Sequence, residues 1–585
     1  MATAELRDGV PYWTERMYKP GGGQDHLGLG SVVTNRVLPR LSPGINVLTV
    51  HPRYWSFYSF VISEFWKRDL PRTKSSFRSW YRPLECIYSV ACNLCTNDGH
   101  IGSPVGTRQI SGIVAADPDG YDPRFGYMKT PDGGFGLYYG SVMQTLGLVV
   151  LTDRAVGVPV DAVTPTGQVV AEAFRTAISD TDYYQHWIDR HDELVPAAVV
   201  AEYAEQACFC KLRLDSAPDR ELLVDAFLHA GEDTTAVARR KTLRFMCEIS
   251  AQSQGFPINQ WSFRNLIYFG ADDPDGNGSV ATFLPSKEIS STARRWRLYQ
   301  AREYYNAALN EMWRRLTNWG KDADGVEFPP TLSEVLDSLD RIDFESFAAT
   351  YSENYEIDLL VGGFDASTPF SELLDWARAA AGITDSLDDR WALDADLNED
   401  YLIDWLGYGQ LSEESGPDSL AAAFLLLTLV AARFWEPALA LVAPDDWFPI
   451  VEGGRDRLGI QRFLSDLRER SQSGATVGDV IRWVTSDYVI SQHERVAAVK
   501  LPTTGDTFRF RREGGRLRFF EQDALVSMND SRFNALSTII YEIGWSGHLH
   551  NAAHQLTAEG EEFRSAGDLP PTGRLNITQL SEESA

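Results

Sequence analysis

From His51-Pro52 to Asp69, Tyr54, Phe57, Tyr58, Val61, Ile62 and Phe65 recur at three- and four-residue steps. That spacing puts them on one face of an α-helix, and rings of this size must leave water. The stretch predicts a core helix that the N-terminal region packs around. A cage of rings around a ligand is the alternative, and spacing suited to burial favours packing. Upstream, Gly28, Gly30, Pro39, Pro43 and Gly44 punctuate a short amphipathic segment and an extended one at 45–50.

The rest of the chain reads as helices with few strands. After a basic linker at 72–81, a helix over 83–95 buries Leu84, Ile87, Ala91 and Leu94 and ends at Asn97-Asp98-Gly99. Residues 103–151 run helix, loop, Gly-rich turn, helix and strand, the order of a winged helix-turn-helix module. A long helix at 287–318 carries an aromatic and aliphatic face with arginine margins. A buried apolar helix follows at 419–435, then helices near 457–471 and 477–487. TFRFRREGGRLRFF (507–520) predicts a hairpin turning at Glu513-Gly514-Gly515, with a helix at 531–544 beside it.

With 585 residues the chain exceeds one core. The expected fold is mainly α and multidomain, with winged-helix-like α+β modules near 103–151 and 507–545. The expected domains are 1–157, aromatic-rich; 158–321, helical; 322–418, acidic; 419–567, with the basic hairpin; and 568–585, a loose tail.

Charge is unevenly distributed. The net charge is −28, and residues 322–418 hold 25 acidic side chains against three arginines. With 9 lysines, 45 arginines and abundant Asp, the composition fits a high-GC genome and a salt-rich cytoplasm, where an acidic surface serves solubility. A docking face on the acidic segment is the alternative. Residues 1–150 carry 15 basic and 12 acidic side chains, so no general repulsion toward phosphate is expected there. The uncharged run 420–432 falls short of the roughly 20 residues of a membrane span, and residues 1–20 lack a charged segment followed by an apolar one. Six cysteines are too few and too scattered for a disulfide framework. A cytoplasmic protein with no membrane partner is expected.

Several groups could carry chemistry. Strand alternation in the hairpin puts Arg509, Arg511, Arg516 and Arg518 on one face, as a phosphate backbone would require, with Phe508, Phe510, Leu517 and Phe519 on the other. The arginine-flanked helix at 287–318 is a second basic surface, though a core helix with solvated arginines explains it as well. Cys92 and Cys95 have CxxC spacing, and Cys208 and Cys210 could complete four thiolates around zinc; Cys86 and His100 are near in sequence. Against this, a helix over 83–95 needs small buried residues where Cys92 and Cys95 stand. In HLHNAAH (548–554), His550 and His554 are four apart, as a histidine metal pair on a helix would be, but Asn551 occupies the position of the hydrolase glutamate. The turn DDPDGNG (272–278) lacks the downstream glutamate of a calcium loop. The Gly-rich run 133–140 has no flanking strand or lysine of a phosphate loop, and no nucleophile elbow occurs.

LGLG (27–30), LPRLSPGINVLTVHPRYWSFYSF (38–60), GGFGLYYGSVMQTLGLV (133–149), RRWRLYQAREYYNAALNEMW (294–313) and SRFNALSTIIYEIG (531–544) together resemble a prokaryotic domain family encoded beside helicase and nuclease genes in anti-phage defence clusters. The resemblance implies a defence-linked role and brings no catalytic residues. The expected protein is a non-enzymatic component of a larger assembly that binds DNA, RNA or protein subunits and needs no cofactor. A metal-dependent hydrolase or nuclease using His550 and His554 is the alternative, and a structural protein acting through 322–418 is a third.

Overall fold

The computed structural model describes residues 25–116, 118–153, 157–214, 216–273, 278–322, 329–339, 342–359, 361–384, 389–407, 419–435, 459–520 and 528–571. Among them the protein is mainly helical, and its strands form only short two-stranded antiparallel pairs. The chain divides into two compact units: unit 1 is Met1–Val33, Ala301–Asp385 and Asp394–Asn529, and unit 2 is Thr34–Gln300, Ser386–Leu393 and Asp530–Ala585. These differ from the five consecutive spans read from composition. Composition marks where charge changes, whereas a compact unit follows from which apolar faces meet, and those faces lie far apart in sequence. The expected tail is described only to residue 571, and residues 274–277 of the 272–278 turn lie outside the described residues.

Unit 2 is built around the helix Arg53–Lys67, whose positions from Arg53 to Phe65 are all buried. It packs on Pro165–Ile178, and its rings interlock with neighbours: Phe57 stacks on Tyr88 at 4.1 Å between centroids, and Tyr58 meets Phe135 at 5.4 Å. The next helix, Lys74–Leu94, starts earlier than expected. Thr73 caps it by accepting the Ser76 N–H, and Phe77, Trp80 and Tyr81 extend its buried face through the stretch read as a linker. Pro83 lies inside this helix and removes one backbone donor without ending it. The helix packs against Thr107–Ala115 and Ala197–Ala207.

Glu85 on this helix explains the Gly-rich run. Its carboxylate, fully buried, accepts the backbone N–H of Gly134 at 2.9 Å and of Phe135 at 3.1 Å and the hydroxyls of Tyr58 and Tyr127. A Cβ on Gly134 would stand 2.6 Å from Val105 Cγ1 and 2.8 Å from Glu85 Oε1. The loop thus cradles a carboxyl group belonging to the protein itself.

The strands of the first winged-helix-like block pair outside it, whereas those of the second pair with each other as a hairpin. In 103–151, Gly120–Tyr121 pairs with Val195–Pro196 and Val149–Val150 with Ala162–Val163, so both partner strands lie outside the block. In 507–545, the hairpin belongs to unit 1 and the helix Phe533–Glu542 to unit 2.

Unit 1 centres on the helix Ser419–Arg433, buried everywhere except Leu420. Phe370–Ala380 and Glu399–Trp405 pack on it, and Arg433 forms a fully buried bidentate pair with Glu399 at 2.9 and 3.0 Å. Part of the acidity is structural: Thr331, Asp343 and Asn398 cap helices, and Glu334, Glu345, Glu372 and Glu399 sit in first turns, where carboxylates meet the positive end of the helix dipole. The long helix Ser290–Asp322 contributes residues up to Gln300 to unit 2 and the rest to unit 1. Among the described residues no helix is long and apolar enough to cross a membrane.

Candidate metal centre

Two packed helices of unit 2 end at the same place. Lys74–Leu94 stops with Cys95 as its C-cap in extended conformation, and the chain then turns so that the His100 N–H donates to the Asn97 carbonyl at 2.9 Å. Ala197–Ala207 stops at Cys208, which leaves the helical conformation at φ −55° and ψ 142°, and a single 3₁₀ turn, Phe209–Arg213, carries Cys210. Leaving the helical conformation at these caps brings four side chains together.

One donor atom from each of Cys95, His100, Cys208 and Cys210 lies within 4.8 Å of all the others. The Cys95 and Cys208 sulfurs each stand 3.5 Å from Cys210 Sγ, and Cys208 Sγ stands 3.3 Å from His100 Nδ1. A tetrahedral zinc with bonds of about 2.3 Å to sulfur places its sulfur ligands roughly 3.8 Å apart, so the observed spacings fit one small ion at the centre. Cys208 and Cys210 are buried, while Cys95 and His100 are half-buried.

Electrostatics agree with a ligand set. Hydrogen bonds from Cys208 and Cys210, with smaller contributions from His100 and Asn97, hold the Cys95 thiol far below its ordinary range. Burial pushes Cys208 up, and for Cys210 the neighbouring thiols do so ahead of burial. Burial opposes the charge on His100, but its bonds to Cys210 and Cys95 prevail and raise it to about 9. Metal binding requires deprotonated thiols and a neutral imidazole, and a dication bound among these groups would favour both through its own charge.

A second layer fixes the ligands. Arg53, 1 % exposed, donates from Nη1 to the carbonyls of Gln206 at 2.7 Å and Cys208 at 2.8 Å, and pairs with the fully buried Asp219 at 3.2 Å. Asn97 Nδ2 donates to Cys95 Sγ at 3.1 Å, the kind of N–H···S bond that stabilises a thiolate. His100 stacks on Phe209 at 4.7 Å, and Phe209 stacks on His51 at 3.8 Å, whose Nδ1 lies 2.7 Å from Glu542. Tyr541 Oη donates to the Gly99 carbonyl at 3.0 Å. The cluster therefore joins 95–100 and 208–210 to the helix Phe533–Glu542.

Of the cysteine set read from spacing, the structure groups Cys95, Cys208 and Cys210. Cys92, one helical turn inside, is fully buried next to Cys208 and stands outside the four donors; His100 takes the fourth place. Cys86 is also buried, with Sγ 3.8 Å from the Asp122 carbonyl. The His100 signal was present as Cys-x4-His directly after a helix end.

The other candidates lie elsewhere. His550 and His554 sit in an irregular turn instead of on a helix: His554 bonds Asn551 O at 2.8 Å and Ser253 Oγ at 3.3 Å, and the His550 ring meets Phe533 and His548. In the hairpin, Phe510–Glu513 pairs with Arg516–Phe519, placing Arg511 opposite Arg518 and Glu513 opposite Arg516 on one face. Arg509 precedes the strand and is buried, so it is not on that face. Arg511 pairs with Asp506, Arg516 donates to the Pro329 carbonyl at 2.6 Å, and Arg518 lies 3.6 Å from Glu513. The continuous four-arginine face expected from alternation is therefore interrupted, because strand pairing begins only at Phe510.

Cys95, His100, Cys208 and Cys210 thus form a group of four protein donors that could hold a metal ion, and Cys₃His is a donor set of structural zinc sites. Comparison of the chain with protein-family models, curated proteins and solved structures finds no match.

Proposed function

We propose that the protein is a non-enzymatic, cytoplasmic component of a larger prokaryotic assembly, and that a structural zinc ion on Cys95, His100, Cys208 and Cys210 holds its unit 2 together. The observation that carries the reading is the convergence of those four donors from two helix ends within 4.8 Å. Three thiolates and an imidazole in tetrahedral spacing suit zinc, and a filled coordination sphere serves architecture instead of catalysis. All six cysteines are unpaired, which suits a reducing compartment. The defence setting is supported by the family resemblance.

A protein partner is favoured over DNA or RNA, because Arg511, Arg516 and Arg518 already engage acceptors of their own unit and Arg509 is buried. The test is metal analysis of the full chain purified under reducing conditions, together with Cys208→Ser. The parent should hold about one zinc per chain and the variant almost none. A metal-free parent would overturn the reading. Retention of DNA or RNA at physiological salt, lost on changing Arg511, Arg516 and Arg518 to glutamine, would overturn the preference for protein.

A further inference from the structure

We infer that Cys95 is a peroxide-reactive modification site whose oxidation joins it to Cys210 and expels the metal, an inference that rests on the zinc reading above. Of the six cysteines, Cys95 alone is not buried. It stands just past the end of Lys74–Leu94, in a segment whose next residues, 96–98, are exposed, so a small oxidant reaches its sulfur from solvent while Cys208 and Cys210 stay covered. A second thiol is already in place, with Cys210 Sγ 3.5 Å from Cys95 Sγ. Closing that gap to the roughly 2.05 Å of a disulfide needs small side-chain movements at two chain positions that are both outside α-helix. Cys208 and Cys210 are equally near each other, but both are buried and only one residue separates them. Cys92 faces the core from within the helix.

The chemistry balances with a hydroperoxide as oxidant. The Cys95 thiolate attacks one peroxide oxygen, the O–O bond breaks, and a sulfenic acid and hydroxide form. The Cys210 thiolate then attacks the Cys95 sulfur and expels hydroxide as the S–S bond forms. Two thiolates supply the two electrons, and two protons convert the hydroxides to water. The ion keeps only His100 and Cys208 and is released. The disulfide then ties the two helix ends that the metal had tied, so the metal is lost while the link persists.

The test uses the zinc-loaded full chain treated with hydrogen peroxide. Released zinc is followed with a chromogenic chelator, remaining thiols are counted after denaturation, and disulfides are mapped by mass spectrometry. About one zinc should leave per two thiols lost, a Cys95–Cys210 peptide should appear, and dithiothreitol with added zinc should restore the starting state. The triple variant C86S/C92S/C247S, which keeps all four ligands, should behave as the parent does. Zinc retained with every thiol intact, zinc lost with Cys95 overoxidised and no disulfide, or a link between any other pair would each overturn the inference while leaving the zinc reading standing. A chain that holds no zinc before peroxide is added overturns both.

Discussion

Arg53→Met separates the two roles of the buried arginine behind the metal centre. The methionine keeps most of the apolar stem and removes a guanidinium that bonds the carbonyls of Gln206 and Cys208 and pairs with Asp219, both charged partners being at most 1 % exposed. Leaving the Asp219 carboxylate buried and uncompensated costs about 3–5 kcal/mol. Releasing the two carbonyls frees the turn that presents Cys208, and loss of such outer support weakens metal binding about 10- to 100-fold, or roughly 1.4–2.7 kcal/mol. The assay is urea unfolding with zinc release as the signal, which reports only the unit that holds the metal, combined with chelator competition for affinity. R53M should lose both stability and affinity. R53M/D219L, which also removes the stranded charge, should regain most of the stability yet bind zinc as weakly as R53M. If R53M stays within about 1 kcal/mol of the parent, or R53M/D219L recovers full affinity, the positioning argument is wrong.

Two further outcomes follow from buried groups. His493 is pushed down to about 3, by burial first and then by His26, with Arg509 and Lys500 adding repulsion. Its Nε2 accepts the Arg509 N–H at 2.9 Å and its Nδ1 faces the His26 carbonyl at 3.3 Å, so the fold requires the neutral ring. The unfolded chain takes up a proton below about pH 6.5 and the folded chain does not. This stability is therefore complete above about 6.5 and falls by up to ~1.4 kcal/mol per pH unit toward 3. The stability gap between parent and His493→Gln, measured by denaturant titration at several pH values, should be widest at pH 7 and narrow by pH 4; a constant gap would contradict the assignment. Gly134→Ala should destabilise by about 1–3 kcal/mol in thermal unfolding, since the new methyl collides with Val105 and Glu85 while the backbone, at φ −72°, tolerates alanine. A neutral result would mean that the carboxylate cradle is loose.

Much of the fold was legible from local periodicity. The rings from Tyr54 to Phe65 gave the core helix because their spacing is set by burial, the 419–433 helix followed from its apolar run, and Gly514-Gly515, both at positive φ, marked the hairpin turn. Period alone misjudged the edges. Arg72 to Tyr81 looked like a basic linker, yet Phe77, Trp80 and Tyr81 continue the buried stripe of the next helix.

The Cys/His cluster was half legible for a physical reason. Cys92 and Cys95 are three apart, which suggests a shared face, but the helix ends at Leu94, so Cys95 swings clear while Cys92 stays in the core. That Cys208 and Cys210 meet Cys95 and His100 depends on the packing of Lys74–Leu94 against Ala197–Ala207, a contact across more than a hundred residues that no local pattern encodes. In the arginine ribbon, alternation holds for Arg511, Arg516 and Arg518 but not for the buried Arg509, and the partners Asp506 and the Pro329 carbonyl were invisible to a count of charges.

The most direct measurement is X-ray absorption at the zinc edge on the full chain, purified under reducing conditions with zinc present. Three sulfur neighbours at about 2.3 Å and one nitrogen at about 2.0 Å would match Cys95, Cys208, Cys210 and His100. A shell of oxygen and nitrogen, or no bound zinc to measure, would contradict the account.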